Sequence, residues 1–447
     1  MGVIIAVLLL FVIGLQYFLS VYSIINRRYN LFGIVYLYSI VLYDFIYINA
    51  YYHLPSLLVA VLKPYNEYMT VILTLRLIIS SIQHKKSSVK NIDKMMLYLI
   101  GGSLLILLFN DFATKIDLGA TIAGLRIFLL PVIIPYLMLR ANWLKYISER
   151  KLLYALFAIT VVIVLYAIVQ KSEFNGDIRS LWFYEFFKQY PENPIDEGPY
   201  NFIRNDVLRS TSLFVSPIIY SLAVAFPTIF LISLILFKSK ILSRATAGIL
   251  AMIFIYGLII AETRVGLVII AIGTAILLIP RFVKVRYAYK LMVSVPILAV
   301  IVTFWTLISG YTDDLSALGR LTQYASFFDY FKLLGVGFYS ELVQTKFDAY
   351  YMSLALLYGI FIVLPIYFYI SINKTVYKTV LLNDGGDNIF SKAVLTISLT
   401  FIYSFAFQFS AGAYPYRLLF FLVFLVISKF NNEKKNQHNN RSSFVPN

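Results

Sequence analysis

The sequence contains no cysteine and only three histidines, His53, His84 and His438. Disulfides, thiolate chemistry and Cys-ligated metals are thereby excluded, and a histidine-built metal site is not expected. Charge is also scarce. Asp, Glu, Lys and Arg make up 13% of the 447 residues, about half of the ~25% usual in a soluble domain. No GxxxxGK[ST] stretch occurs, so no P-loop hydrolyses ATP here. Gly335-Val336-Gly337 follows no strand and lies in no βαβ unit, so it is not a dinucleotide loop. Paired Asp-x-Asp acids are missing after the second apolar run, so a metal-dependent sugar transferase is not suggested. The alternating ~10-residue pattern of an outer-membrane barrel is absent as well.

What the chain has instead is apolar length. Hydrophobic residues make up 60% of it, mean hydropathy is +0.80, and the apolar residues fall in runs separated by short polar knots. Runs of roughly 18 to 25 residues cross a ~30 Å hydrocarbon core as helices, with backbone hydrogen bonds closed inside each segment. The fold class expected is therefore an all-α polytopic membrane protein. Spans are expected at roughly 2–24, 31–52, 66–83, 95–111, 121–139, 152–170, 211–236, 247–261, 265–280, 291–309, 349–371, 393–410 and 417–430, a count of 12 to 14 by length. Leu54–Leu62 is too short to cross and reads as re-entrant or interfacial. The first run lacks a basic n-region and a small-x-small site, so it reads as a span rather than a cleavable signal. One transmembrane domain over 1–430 is expected, followed by a polar, disordered cytoplasmic tail at 431–447.

Lys and Arg set the orientation. With Arg27 and Arg28 inside, 24 of the 38 basic residues fall in inside segments, 12 in outside segments, and Arg76 and Arg126 within spans. Every short inside loop is basic. The net charge of +16 is then ordinary positive-inside bias, and nucleic acid drops out as a partner. Two outside segments are long, about 171–210 and 310–348. They are rich in Tyr and Phe, hold Trp182, and are expected to fold as a cap. Sixteen of the 22 acids lie outside; Asp44 is the buried one, and pairing with a neighbouring helix is its expected role.

Several arginines stand beside outer span ends, against the positive-inside trend. Arg209 leads into a span as Arg209-Ser-Thr-Ser-Leu-Phe-Val-Ser-Pro217. Arg264 follows Glu262-Thr263 at the start of another, Arg126 lies about one turn inside a third, and Arg320 follows Gly319 in the second long loop. A helix N-terminus offers unpaired N–H groups and partial positive charge, and Arg adds a planar fork that matches phosphate oxygens. Together they suit a membrane-anchored phosphate or pyrophosphate. The plainer reading is snorkelling to head groups, which fits Arg76 and Arg417 best. Asp348 is placed either to act as a general base on a sugar hydroxyl or to cap a helix. The aromatics Trp182, Tyr184, Phe186, Phe187 and Tyr190 suit stacking on sugars or, more simply, seating the loop at the interface.

Four stretches resemble the O-antigen ligase/polymerase superfamily: Gly124-Leu-Arg126 leading to Pro131 and Pro135; Arg209 through Pro217 and Ile219; Glu262-Thr-Arg264-Val-Gly266; and Gly319-Arg320 through Leu334-Gly-Val-Gly337, then Asp348-Ala-Tyr-Tyr-Met-Ser-Leu-Ala-Leu-Leu-Tyr-Gly359. Their order, spacing and sidedness agree together over roughly 95–370. The resemblance implies a GT-C-type membrane glycosyltransferase in the bacterial cytoplasmic (inner) membrane, active on its extracytoplasmic face. It further implies an undecaprenyl-pyrophosphate-linked glycan donor and acceptor, with transfer needing no metal and no cofactor. Carried over, Arg209, Arg264, Arg320 and Asp348 are the catalytic set, and Arg126, Glu262 and Tyr350 contact pyrophosphate or glycan. Ligases of the superfamily tend to show His where this chain has Asp348, which favours a Wzy-type polymerase of O-antigen or capsular polysaccharide. Such an enzyme works in the bilayer beside a chain-length regulator and a flippase. The competing readings are an O-antigen ligase and a lipid-linked oligosaccharide flippase. A flippase is expected to show midplane charges and internal repeats, and neither is evident here.

Overall fold

The computed structural model describes residues 2–83, 90–111, 118–173, 178–188, 202–204, 207–237, 241–309, 315–338, 349–382, 389–407 and 414–442. In chain order the helices begin with α1 (Gly2–Ile25), α2 (Tyr29–Val41), α3 (Tyr43–His53), α4 (Ser56–Leu62), α5 (Tyr65–Gln83), α6 (Lys90–Ile106), α7 (Leu118–Phe128) and α8 (Leu130–Arg140). They continue with α9 (Glu149–Glu173), α10 (Tyr184–Lys188), α11 (Pro217–Leu236), α12 (Arg244–Ile260), α13 (Arg264–Phe282) and α14 (Val285–Ile308). The last are α15 (Leu315–Tyr330), α16 (Tyr350–Tyr358), α17 (Val363–Leu382), α18 (Ile389–Phe407) and α19 (Tyr414–Ser442). The one sheet among the described residues is a two-residue antiparallel pair, β1 (Ile203–Arg204) with β2 (Val207–Leu208).

Among the described residues eight helices are long and apolar enough to cross a membrane, and α2 with α3 makes a ninth if the pair, bent by 63°, is one crossing. The chain is an all-α multi-pass membrane protein. Not all of the 12 to 14 expected spans meet that test among the described residues, in part because continuous apolar runs do not all give continuous helices. The run at 31–52 bends at Leu42, and the run at 121–139 breaks at Leu129 into two 11-residue helices. Helix α12 is only 17 residues long. The tail expected to be disordered from Asn431 instead continues α19 to Ser442, in keeping with the helix-forming Glu433, Lys434, Lys435 and Gln437 within it.

The helices gather in two compact units interleaved along the chain: Met1–Arg76 with Ala141–Ala271, and Leu77–Arg140 with Ile272–Asn447. In the first unit α4 does not cross. Its terminal carbonyl, Leu62 O, accepts from the Tyr17 hydroxyl (2.7 Å) and the Tyr47 hydroxyl (3.0 Å), so the C-terminal end of this short helix is tied to α1 and α3. Ile13, Ile46, Tyr47, Ala50, Leu54 and Val59 form the core beneath it. Helix α12 approaches α9 and α11 closely at Gly257, where a Cβ would press on both methyls of Val164 and on the Tyr220 hydroxyl. That hydroxyl donates to Gly257 O at 3.0 Å.

In the second unit α16 and α17 read as one span, Tyr350–Val380, interrupted by a 3₁₀ turn at Gly359–Ile362. An interruption frees backbone groups that hydrocarbon cannot satisfy. Here the preceding segment 332–338 satisfies them: Val336 N donates to Leu356 O (2.8 Å) and Ile360 N to Leu333 O (2.9 Å). Both sides of this junction are glycine at positive φ, Gly335 at 81° and Gly359 at 53°. A Cβ on Gly359 would collide with Leu333 O and Gly335 N. At the same segment Gly124 of α7 lies against the backbone of Phe338. At the other end of the unit Asp93 takes a hydrogen bond from Tyr136 (2.8 Å) and an ion pair from Arg140 (3.2 Å), latching α6 to α8.

Gly359→Ala places a methyl into backbone at a φ that L residues avoid. Overpacking of this kind costs about 1–3 kcal/mol, and the expected outcome is a melting temperature several degrees lower by intrinsic tryptophan fluorescence in detergent. Gly248→Ala, with nothing within 4 Å of its Cβ position, is expected to melt like the wild type.

Candidate functional site

The first unit carries the most elaborate polar cluster among the described residues, where the C-terminal end of α9 meets the segment before α11 and the turn before α13. Ile163, Ala167 and Gln170 lie three to four residues apart, on one face of α9. Gln170 Oε1 accepts from the Ser210 hydroxyl (2.9 Å), Thr211 N–H (3.0 Å) and Ser212 N–H (3.0 Å). The Ser212 hydroxyl donates to Ile163 O (2.6 Å), and Ala167 O, 3.2 Å from the Ser210 oxygen, is the longer alternative acceptor for the single Ser210 proton. Trp182 Nε1 closes the far side on Ser212 O at 2.8 Å. Ser210, Thr211, Ser212 and Gln170 are all buried, so each polar atom needs such a partner.

Lys171 joins this wall to the next one. Its ammonium donates to Leu208 O and to Glu262 Oε1, both at 2.8 Å, and the pair is only about a quarter exposed on each side. Residues 208–212 and the turn Ala261–Thr263 are thereby held to one helix end. Ser212 and Glu262 both sit at positive φ, 51° and 50°, a conformation costing of order 1–3 kcal/mol where the surroundings impose it. Thr263 is buried, and its hydroxyl has no hydrogen-bond partner among the described residues.

The structure brings three of the expected site residues into this setting. Arg264 is exposed in the first turn of α13, as the sequence suggested. Arg209 is half-buried but does not open a helix. Its N–H donates to Phe202 O at 2.7 Å, extending the β1–β2 pair. Helix α11 starts eight residues later, where Ser216 caps Ile218 N and Pro217 takes the first helical position. Glu262 is the partner of Lys171, so its carboxylate is already engaged. In the aromatic-rich loop, Leu181, Phe183, Tyr184 and Leu208 form a small core with Trp182, Phe187 and Phe202 against it. These rings are spent on seating the loop. Tyr190 lies outside the described residues.

The remaining expected residues belong to the second unit. Arg126 is half-buried in the last turn of α7, at a helix C-terminus, where the macrodipole favours a cation, not at the N-terminus expected. Tyr350 is buried, donates to the Tyr416 hydroxyl at 2.9 Å, and stacks on Phe128 with centroids 5.9 Å apart. Its surroundings are apolar. Arg320 lies in the first half of α15, and Asp348 falls outside the described residues.

Sequence reasoning missed Gln170 and Lys171, which it took as the edge of a loop. The signal was there: a Gln closing an apolar run, in helical register with Ile163 and Ala167. No protein-family model and no curated protein matches the chain. A fixed backbone segment holds Arg209, a helix N-terminus holds Arg264, and the Glu262 carboxylate in the turn before it is paired with Lys171.

Gln170→Leu removes an acceptor shared by three donors, each hydrogen bond being worth about 0.5–1.5 kcal/mol. It is expected to destabilise the protein by about 2–3 kcal/mol, read as a shift in its melting curve. A double-mutant cycle of Lys171→Met and Glu262→Gln is expected to give a coupling of about 1 kcal/mol, as a partly buried pair does; additive effects would show that the pair is not formed.

Proposed function

We propose that this chain is a membrane glycosyltransferase that polymerises undecaprenyl-pyrophosphate-linked oligosaccharide repeat units into O-antigen or capsular polysaccharide on the extracytoplasmic face of a bacterial inner membrane. The observation that carries this reading is the cross-link at Lys171 and Gln170, which fixes the segment bearing Arg209 and the turn bearing Arg264 to the same helix end. Both arginines belong to stretches that resemble the O-antigen ligase/polymerase superfamily.

In the reaction proposed, an acceptor sugar hydroxyl attacks the anomeric carbon of the donor glycan. The bond from that carbon to the pyrophosphate oxygen breaks, and the electron pair leaves with undecaprenyl pyrophosphate. The hydroxyl proton passes to a carboxylate, for which Asp348 is the sequence candidate. Charge develops on the leaving pyrophosphate, and fixed positive charge placed there lowers the barrier without reorganisation. Arg209 and Arg264, both in the first unit, are assigned that task; Arg320, Arg126, Glu262 and Tyr350 enter only as what the resemblance implies. Lys171 neutralises Glu262, which otherwise would repel a pyrophosphate. Energy comes from the lipid-linked bond itself, so neither nucleotide nor metal is required.

The interrupted spans α7–α8 and α16–α17 favour a second reading, transport of a lipid-linked oligosaccharide, since broken helices often build transporter sites. One experiment separates the two. A strain lacking the gene is complemented with wild type or with Arg209→Ala, Arg264→Ala, Arg320→Ala or Asp348→Ala, membrane levels are matched, and surface glycan is resolved on gels. Wild type is expected to restore a ladder, and each arginine variant to leave single units on the acceptor, with activity falling about 10²–10³-fold per lost contact. Long polymer left on its lipid carrier with none attached indicates a ligase. Ladders unchanged in all four variants overturn the catalytic assignment and favour transport.

A further inference from the structure

We propose that the second unit contains a binding site for a single flexible hydrocarbon chain of a membrane lipid. The site is a cavity of about 240 Å³ lined by residues of α6, α7, α8, α14 and α16–α19. It lies beside both span interruptions of this unit: Phe128 and Leu129 at the α7–α8 break, and Tyr358 at the end of α16, all line it.

The lining selects the ligand class. Among the described residues no charged side chain contributes, and five tyrosines present their rings. Three of those tyrosines spend their hydroxyls elsewhere: Tyr350 donates to Tyr416, Tyr358 pairs with Ser103 at 2.8 Å, and Tyr369 donates to Ser398 O. Ordered water needs two to four polar partners, whereas a dry apolar cavity of ~150 Å³ takes benzene. This cavity is larger and apolar, and it suits a run of several methylene groups. Tyr351, whose hydroxyl has no hydrogen-bond partner among the described residues, offers one polar contact at its wall.

The route in selects the source. Ile297 of α14 and Ile366 and Ile370 of α17 line the cavity and are also exposed, at 44%, 38% and 54%. The surface around them is apolar as well, with Leu298, Ile301, Val363 and Tyr367 each more than half exposed. These are helices that cross the bilayer, so the mouth opens sideways onto hydrocarbon rather than onto water. What enters is a lipid chain. An acyl tail and an isoprenoid tail share this chemistry, and the inference holds whichever it is and whether or not the chain is a transferase.

The test uses the full-length protein in vesicles with a trace of either phosphatidylglycerol carrying a diazirine on its acyl tail or a polyprenyl phosphate carrying one on its tail. After photolysis, adducts are mapped by peptide mass spectrometry. Labelling of Tyr351, Phe405 or Tyr416 in at least one arm is expected, and the arm that labels identifies the source. Leu354→Trp fills the cavity from a buried lining position and is expected to cut that labelling at least tenfold, while adducts on the exposed Val7 and Phe11 of α1 persist. Ile402→Trp, also a lining residue, is the second filling variant and decides the matter if Leu354→Trp does not melt cooperatively. Adducts confined to exposed residues in both arms, or cavity labelling that neither filling variant reduces, overturn the proposal.

Discussion

Inside a bilayer a helix may be interrupted only where protein supplies partners for the backbone groups it releases, and that constraint organises this molecule. The break after Tyr358 persists because segment 332–338 donates and accepts in place of a helical turn. That exchange in turn requires glycine at 335 and 359, where the two backbones meet closely. The same segment receives α7 at Gly124, so one junction fixes the ends of several helices. In the first unit the equivalent burden falls on Gln170, a single carboxamide oxygen that organises the non-helical backbone of residues 210–212.

These anchored irregular segments are where functional groups belong. A loop held at many points by a rigid helix places a side chain reproducibly, whereas a free loop does not. Arg209 is carried by such a segment, and Arg264 follows a turn whose strained Glu262 is held by Lys171. Lys171 takes up the charge of Glu262 and holds this turn to the end of α9.

Much of the architecture was legible from apolar length, since α1, α9, α13 and α18 match the expected runs to within about four residues at each end. Side-chain chemistry was legible where it was local: Arg264 at its helix start, and the apolar rings of 181–187 as a seat for their own loop. Three features were not. The start of α11 was placed early because Leu213, Phe214 and Val215 continue the apolar run, although Ser216-Pro217 is the sequence signal for a helix start. The α7–α8 break was hidden by the largely apolar run around it, with Pro131 in the first turn of α8 a local trace. The role of Gln170 depends on residues some forty positions away, and no periodicity encodes a hydrogen-bond partner at that distance.

The central claim is that glycosyl transfer here is driven by a lipid-pyrophosphate bond and assisted by arginine rather than metal. Its most direct test is a reconstituted reaction: purified protein in vesicles, a synthetic polyprenyl-pyrophosphate-linked repeat unit, and excess chelator, followed by mass spectrometry of the lipid and glycan products. The account predicts two-unit and longer glycans together with free polyprenyl pyrophosphate, at rates the chelator does not lower and Arg264→Ala abolishes. Absence of any free polyprenyl pyrophosphate with the intact protein, or restoration of activity only on adding a divalent cation, would contradict it.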